Sequence, residues 1–515
     1  MKKFNITGVC IKEKHYMIDI SEKIAKIMAL INDGQYFTIN RARQFGKTTT
    51  LFLLEKELLN EGYLPISLSF EGLEDEIFEN TESFILEFLK LLSKTLKKID
   101  IKISKYLSDI ANSIKKMPDL SEIITEICQK SDKKIVLIID EVDKNSNSKL
   151  FLSFLGMLRN KYLLQNVSKD VTFYSVILAG VYDIKNLKLK YRKDEEEKFN
   201  SPWNIAAEFD IDMSFNESEI ATMLVDYEKY NLSGMNIIDV STELYKFTSG
   251  YPFLVSKLCK IIDEKLDKNW TKESIEEAVK LLLLEKNTLF DDLIKNLENN
   301  EELCNLIVEI LIEGKIINFN IDNPIINLGF IFWIFNKQNF YTAISNKIFE
   351  IRIYNYLISK RDTSNSEVLT YKYRTNFVEN NRLNFELVLT KFQEIMHDEY
   401  REKEQKFKER EGRLLFLCFV KPILNGAGFY FVEPETRLDN RMDIIITYGN
   451  EQFIVELKIW HGENYEKEAI EQLARYLESK RLDTGYLISF CFNKNFEYVK
   501  KWQSFNNKKI FAITV

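Results

Sequence analysis

A chain of 515 residues with 71 Lys+Arg against 78 Asp+Glu, net −7, is too long for one hydrophobic core and has no broad basic footprint. Three or four domains are expected, with any nucleic-acid contact confined to a local patch. The 45% hydrophobic content excludes a disordered chain, and 17 Gly with 7 Pro leave little material for flexible linkers. Six scattered cysteines without a CxxC pair argue against zinc and against a disulfide framework, and fit a reducing cytoplasm. Met1 to Ile20 lacks a signal-peptide core, and the apolar stretch Ile325–Phe335 is too short to cross a membrane.

In chain order, a helix is expected over 21–33, then the strand Gln35–Ile39, a loop over 40–50 leading into a helix to about Asn60, and the strand Leu64–Phe70. Helices fill 74–130 and end before the apolar run Lys134–Ile139. A helix near 148–163 and the strand Val171–Leu178 complete a repeating pattern that predicts a parallel α/β sheet over 1–215. Residues 216–300 read as a helical lid with helices over 217–230, 242–267 and 272–297. Residues 301–377 mix helix and short strands, and 378–410 reads as one charged linker helix. Residues 411–515 return to α/β, with a helix, three apolar strands, a second helix and a strand.

Arg41-Ala-Arg-Gln-Phe-Gly-Lys-Thr48 lies between a strand and a helix. A turn there aims backbone N–H groups at phosphate oxygens, and the helix dipole adds a favourable field. Arg41, Arg43, Gly46, Lys47, Thr48 and Thr49 are thus candidates for holding ATP. Lys47 would reach the β- and γ-phosphates, and the Thr48 hydroxyl would meet Mg²⁺. Arg41 stands where the standard motif has its first glycine. The second half of the site is Asp140-Glu141 at the end of Ile135–Ile139, a buried strand with acid at its C-terminal end. Asp140 would hold the Mg²⁺ hydration shell, and Glu141 would polarise the attacking water. Asp143 reads as a solvated loop carboxylate.

These motifs, with Ser201-Pro-Trp-Asn204, resemble the AAA-ATPase-like family of bacterial proteins, similar to the signal-transducing STAND ATPases, which typically carry arginine where Arg41 stands. Thr248-Ser-Gly-Tyr-Pro-Phe253 is similar to the Gly-x-Pro element of the helical lid in such ATPases; read from spacing alone, it is equally a helix boundary. The stretch 301–358 matches the family's middle region and reads as winged-helix-like.

In the C-terminal segment Asp443 precedes the strand Ile444–Thr447, and Glu456-Leu-Lys458 ends the strand Gln452–Val455. A hairpin turn at Gly449-Asn450 would bring Asp443 near Glu456, and alternation puts Glu456 and Lys458 on one face. Two carboxylates and the Leu457 carbonyl can hold Mg²⁺, with Lys458 stabilising charge on a phosphate. Surface charges or a decayed site would give the same spacing. Arg441-Met-Asp443 and Val455-Glu-Leu-Lys458 resemble the PD-(D/E)xK nuclease superfamily, and Glu411, Gln472 and Tyr476 look like positions on its accessory helices. From 411 to 515 there are 14 Lys+Arg and 14 Asp+Glu, so a nucleic-acid backbone would have to meet clustered residues such as Arg437, Arg441 and Arg475.

The sequence thus predicts an ATP-driven switch coupled to a Mg²⁺-dependent nuclease acting on nucleic acid, DNA first. The resemblance adds a role in defence or mobile-element biology, with a protein trigger and homo-oligomer formation as further expectations. A signalling or scaffolding ATPase with a degenerate nuclease domain, and an ATP-driven DNA motor, are the alternatives.

Overall fold

The computed structural model describes residues 2–142, 148–181, 203, 205–311, 315–365, 377–379, 382–400, 409–424, 428–432, 444–449, 451–491 and 499–515. The chain divides into two compact units: residues 1–282 with 330–333, and residues 283–329 with 334–515.

The first unit opens with a two-stranded parallel pair, β1 (Lys3–Phe4) and β2 (His15–Tyr16), followed by α1 (Ser21–Asn32) and β3 (Phe37–Asn40). Next come α2 (Lys47–Asn60), β4 (Leu64–Ser69), α3 (Thr81–Leu96), α4 (Ile101–Ile110), α5 (Met117–Lys130), β5 (Ile135–Asp140), α6 (Lys149–Asn166) and β6 (Ser175–Gly180). The four longer strands pair in parallel in the order β3-β6-β5-β4, and Ala207 bridges in parallel to Phe37 on the free side of β3. One strand therefore separates β3, which feeds the phosphate loop, from β5, which ends in Asp140. The apolar run of β5 is buried on both faces, as a central parallel strand covered by helices requires. Rings of Phe70, Phe78, Phe84, Phe88, Phe151 and Phe154 fill the core on one side.

Over the segment expected to form a helical lid run α7 (Glu217–Asn231), α8 (Ile237–Thr248), α9 (Pro252–Lys265) and α10 (Lys272–Leu284). The single helix expected over 242–267 is two. Ser249 and Gly250 take left-handed φ of 46° and 73°, and Pro252, lacking an N–H, starts α9. The helix expected over 272–297 also breaks, because the Asn287 side chain caps α11 (Thr288–Asn299).

The second unit continues with α12 (Glu301–Leu311), α13 (Pro324–Ile331, shared between the units), the hairpin β7 (Phe335–Gln338) and β8 (Tyr341–Ile344), and α14 (Lys347–Asn365). Where a helix was expected to begin, Val378–Glu379 (β9) and Arg382–Leu383 (β10) pair antiparallel, and the helix α15 runs from Phe385 to Tyr400. After α16 (Glu409–Leu424) come β11 (Gly428–Val432), β12 (Ile444–Tyr448), β13 (Glu451–Ile459), α17 (Glu463–Ser479), β14 (Thr484–Phe490), β15 (Lys500–Phe505) and β16 (Lys508–Thr514). The sheet order is β11-β12-β13-β14-β16-β15. Strands β13, β14 and β16 are parallel, and the others pair antiparallel. α17 packs its apolar stripe of Ile470, Leu473 and Leu477 on the face that carries Ile454 and Leu487. Three strands, β14, β15 and β16, follow α17 where one was expected.

Candidate functional site

The phosphate loop is shaped by two left-handed residues, Gln44 at φ 58° and Gly46 at φ 81°, the second serving as N-cap of α2. Left-handed residues turn successive N–H groups toward one concavity, which suits an anion. The Lys47 ammonium donates to the carbonyls of Arg41 and Ala42, at 2.9 and 3.2 Å, so the loop holds its own lysine. The Thr48 hydroxyl lies 3.5 Å from Asp140 Oδ2, and Asp140 Oδ1 accepts from the Glu141 N–H at 2.9 Å. Burial pushes the Asp140 carboxyl above its usual range, opposed by the Glu141 N–H and the charge of Lys47. Glu141 itself has φ 55°, a left-handed conformation costly for a side chain with a Cβ.

Around this centre lies a cavity of about 560 Å³ lined by Arg43, Gly46, Lys47, Thr48, Thr49 and Glu141. Arg41 is placed otherwise. Its guanidinium donates to the carbonyls of Asn40 and Ile211 and lies over the Phe209 ring, so it ties the end of β3 to the segment before α7 instead of lining the cavity. Asp143 and Asn204 lie outside the described residues, while Trp203 is buried against Tyr36.

Two further walls come from segments distant in sequence, the first of them without a sequence signal. The first is the N-terminal strap: Asn5, Gly8, Cys10 and Tyr16 line the cavity, and the Cys10 N–H donates to Thr49 Oγ1 at 3.0 Å. Burial pushes the Cys10 thiol up to about 11, so it is neutral there. The second is the turn between α8 and α9, where each residue of Gly250-Tyr251-Pro252 has its own contact. A Cβ on Gly250 would fall 1.8 Å from the Phe215 carbonyl oxygen, so only glycine fits. The Tyr251 hydroxyl donates to the Arg43 carbonyl of the phosphate loop at 2.5 Å, and Pro252 faces Gly46. Glu71 also lines the cavity and raises the Asp140 carboxyl further. It lies two residues beyond β4, whose last residue, Ser69, pairs with Asp140.

In the second unit Glu456 is 1% exposed and Lys458 Nζ sits 2.9 Å from its Oε1. Both share the face of β13 that carries Ile454, the face α17 covers, while Leu457 points the other way and pairs with Ile488. Tyr476 is buried in the α17 cluster, and Gln472 lies one turn before it. Asp443, Arg437 and Arg441 lie outside the described residues; β12 begins at Ile444, opposite Val455. Glu411 falls in the first turn of α16, and its side chain is not described. Arg475 is exposed on α17. Among the described residues no group of three or more His, Cys, Asp or Glu side chains could hold a metal ion, and no helix is long and apolar enough to cross a membrane.

Strand order, loop and acidic strand end together define the first unit as an α/β P-loop nucleotide-hydrolase core. The chain belongs to the AAA-like domain family, whose profile matches residues 10–326. An uncharacterized WD repeat-containing protein of Synechocystis sp. is 22% identical over 334 residues, 60% of this chain and 26% of that protein. The chain thus spans about a quarter of the length of this relative. Among solved structures, the Walker-type ATPase of Pyrococcus abyssi aligns at 13% identity and TM-score 0.45, over 68% of this chain and 99% of its own. The ORC2 protein of Aeropyrum pernix aligns at 11% identity and TM-score 0.38, over 70% of this chain and 98% of its own.

Proposed function

We propose that the protein is an ATP-binding and ATP-hydrolysing switch that governs a Mg²⁺-dependent nucleic-acid phosphodiesterase in its C-terminal segment. The observation that carries the first half is the meeting of Thr48 with Asp140 beside a loop turned by left-handed Gln44 and Gly46. The donor set fits a nucleotide and its cation: loop N–H groups and Lys47 for phosphates, Thr48 and Asp140 oxygens for Mg²⁺. Bound Mg²⁺ would neutralise phosphate charge, and Glu141 is the base that orients water. The strap and lid wall the same cavity, so its filling is felt by both.

The second half is supported by the buried Glu456 with Lys458 at the end of β13. A carboxylate and a lysine spaced two residues apart on an apolar strand suit a metal-assisted attack on a phosphodiester, with Asp443 as the second carboxylate and the Leu457 carbonyl as a further ligand. Helices α12 and α13 followed by the β7–β8 hairpin suit a winged-helix-like region. The partner is nucleic acid, DNA before RNA, with a protein trigger and self-association as parts of the switch and the cytoplasm as its setting. Incubation with plasmid, linear and single-stranded DNA and with RNA, with and without ATP and Mg²⁺, tests the reading. Cleavage by wild type that disappears in Glu456→Gln is expected. The absence of any metal-dependent cleavage would leave a signalling ATPase.

A further inference from the structure

The β15–β16 hairpin turns through Asn506 and Asn507, both left-handed at φ 46° and 61°, the geometry of a tight two-residue turn. It carries four lysines, and alternation divides them between the two faces of the sheet. Lys501 and Lys508 face α17 and are engaged, with Glu466 at 3.3 Å and Asp483 at 3.0 Å. Lys500 and Lys509 face the other way and make no ion pair among the described residues. Between them on that second face stands Trp502, 45% exposed.

The ring of Trp502 is fixed from behind. It packs on Phe511 at 5.2 Å between centroids and on Tyr486 at 6.4 Å, and its Nε1–H donates to Glu386 Oε2 at 3.3 Å. A large apolar ring is thereby held half in water on an edge strand. Lys500 lies at one end of this face. Lys509 lies opposite Ser504 at the other end, about 13 Å away along the strand at roughly 3.3 Å per residue. Lysines also guard edge strands against pairing with other chains, but a guarded edge does not call for an exposed, oriented tryptophan between them.

We infer that Lys500, Trp502 and Lys509 form a binding platform for single-stranded nucleic acid, on the sheet face opposite Glu456 and Lys458. The ring supplies a stacking surface for a base, which every base can use, and the two ammonium groups meet the flanking phosphates. The platform rests on the nucleic-acid part of the proposed function and is independent of its cleavage chemistry.

The test is fluorescence anisotropy of the full chain with labelled oligo-dT in EDTA, which removes metal-dependent cleavage. Trp502→Ala should weaken binding about five- to a hundredfold, and Trp502→Phe should retain most of it. The double variant Lys500→Gln/Lys509→Gln should lower the slope of log affinity against log salt by about 1.4, two single-strand phosphate contacts. Lys501→Gln/Lys508→Gln should change the slope far less. The platform is wrong if wild type binds no oligonucleotide, prefers duplex of equal length, or binds with unchanged affinity and slope in these variants. Lysine variants that aggregate while Trp502→Ala binds normally would reassign the lysines to edge protection and overturn it too. Plasmid cleavage with Mg²⁺, run in parallel, separates the two ideas. Intact binding without cleavage sinks the nuclease alone, and intact cleavage with neutral platform variants sinks the platform alone.

Discussion

Lys47 and Lys458 both stand beside the acidic end of a strand, but they are held in different ways. Lys47 donates to two carbonyls of its own loop, while Asp140 is held by the Glu141 N–H and Thr48. The backbone thus positions the charges before any ligand arrives, at the cost of left-handed residues at Gln44, Gly46 and Glu141. In the second unit Lys458 lies against Glu456 itself. A ligand at β13 has to compete with that pair, whereas a ligand at the phosphate loop meets donors fixed by the fold. Preorganised sites should therefore lose function cleanly on mutation, and self-paired sites should lose stability along with it.

Four measurements sharpen or break this contrast. Glu141→Gln should have the largest effect, lowering single-turnover ATP hydrolysis by about 10²- to 10⁴-fold while binding persists; hydrolysis at the wild-type rate removes Glu141 from the chemistry. Lys47→Ala should weaken ATP binding roughly 10- to 100-fold, the worth of a charge-assisted contact, with little change in unfolding of the apo chain. Calorimetry beside urea titration reads both quantities. Lys458→Ala should instead destabilise the second unit by about 1–3 kcal/mol, because it removes a charge 2.9 Å from an almost fully buried carboxylate, and it should abolish nucleic-acid cleavage. A variant that is neutral in stability would show that the pair is not what holds Glu456.

The smallest effect concerns Asp140. Its carboxyl in the folded state lies above the ordinary 3.8, so the folded chain binds the proton more tightly than the unfolded chain. Stability then falls as pH rises from that value through the raised one, and the loss is complete above it. Asp140→Asn should therefore raise the melting temperature of the apo first unit at pH 7, by roughly 1–3 °C, with the gain shrinking as pH falls toward 3.8. An unchanged or lowered melting temperature at pH 7 would show that the loop already compensates the charge.

Much of the first unit was legible in the sequence because its signals are local. Ile135–Asp140 is an apolar run ending in acid, and Gly46-Lys47-Thr48 opens a helix. What escaped depends on distant segments meeting. Nothing near Cys10 announces that its N–H will reach Thr49, and spacing leaves Gly250 equally a lid element or a helix boundary until the Phe215 carbonyl is placed against it. Arg41 escaped for a related reason. Its motif position suggests phosphate, but its guanidinium finds the carbonyl of Ile211, 170 residues away in sequence. In the second unit the spacing of Glu456 and Lys458 was readable, and their direct pairing was not, since alternation gives a shared face and no distance. The β15–β16 hairpin hid behind a short, lysine-rich strand whose charges masked its alternation.

The tie between Tyr251 and Arg43 has a consequence for synthesis. A chain leaves the ribosome from its N-terminus, and the phosphate loop emerges long before Tyr251 and Pro252, which finish its wall. The newborn sheet therefore meets nucleotide with one wall of its cavity missing, and until then leans on the buried aromatic packing between β4, β5 and α3. Arrested nascent chains ending before residue 213 should thus gain less protease protection from ATP than chains in which residue 256 has cleared the exit tunnel.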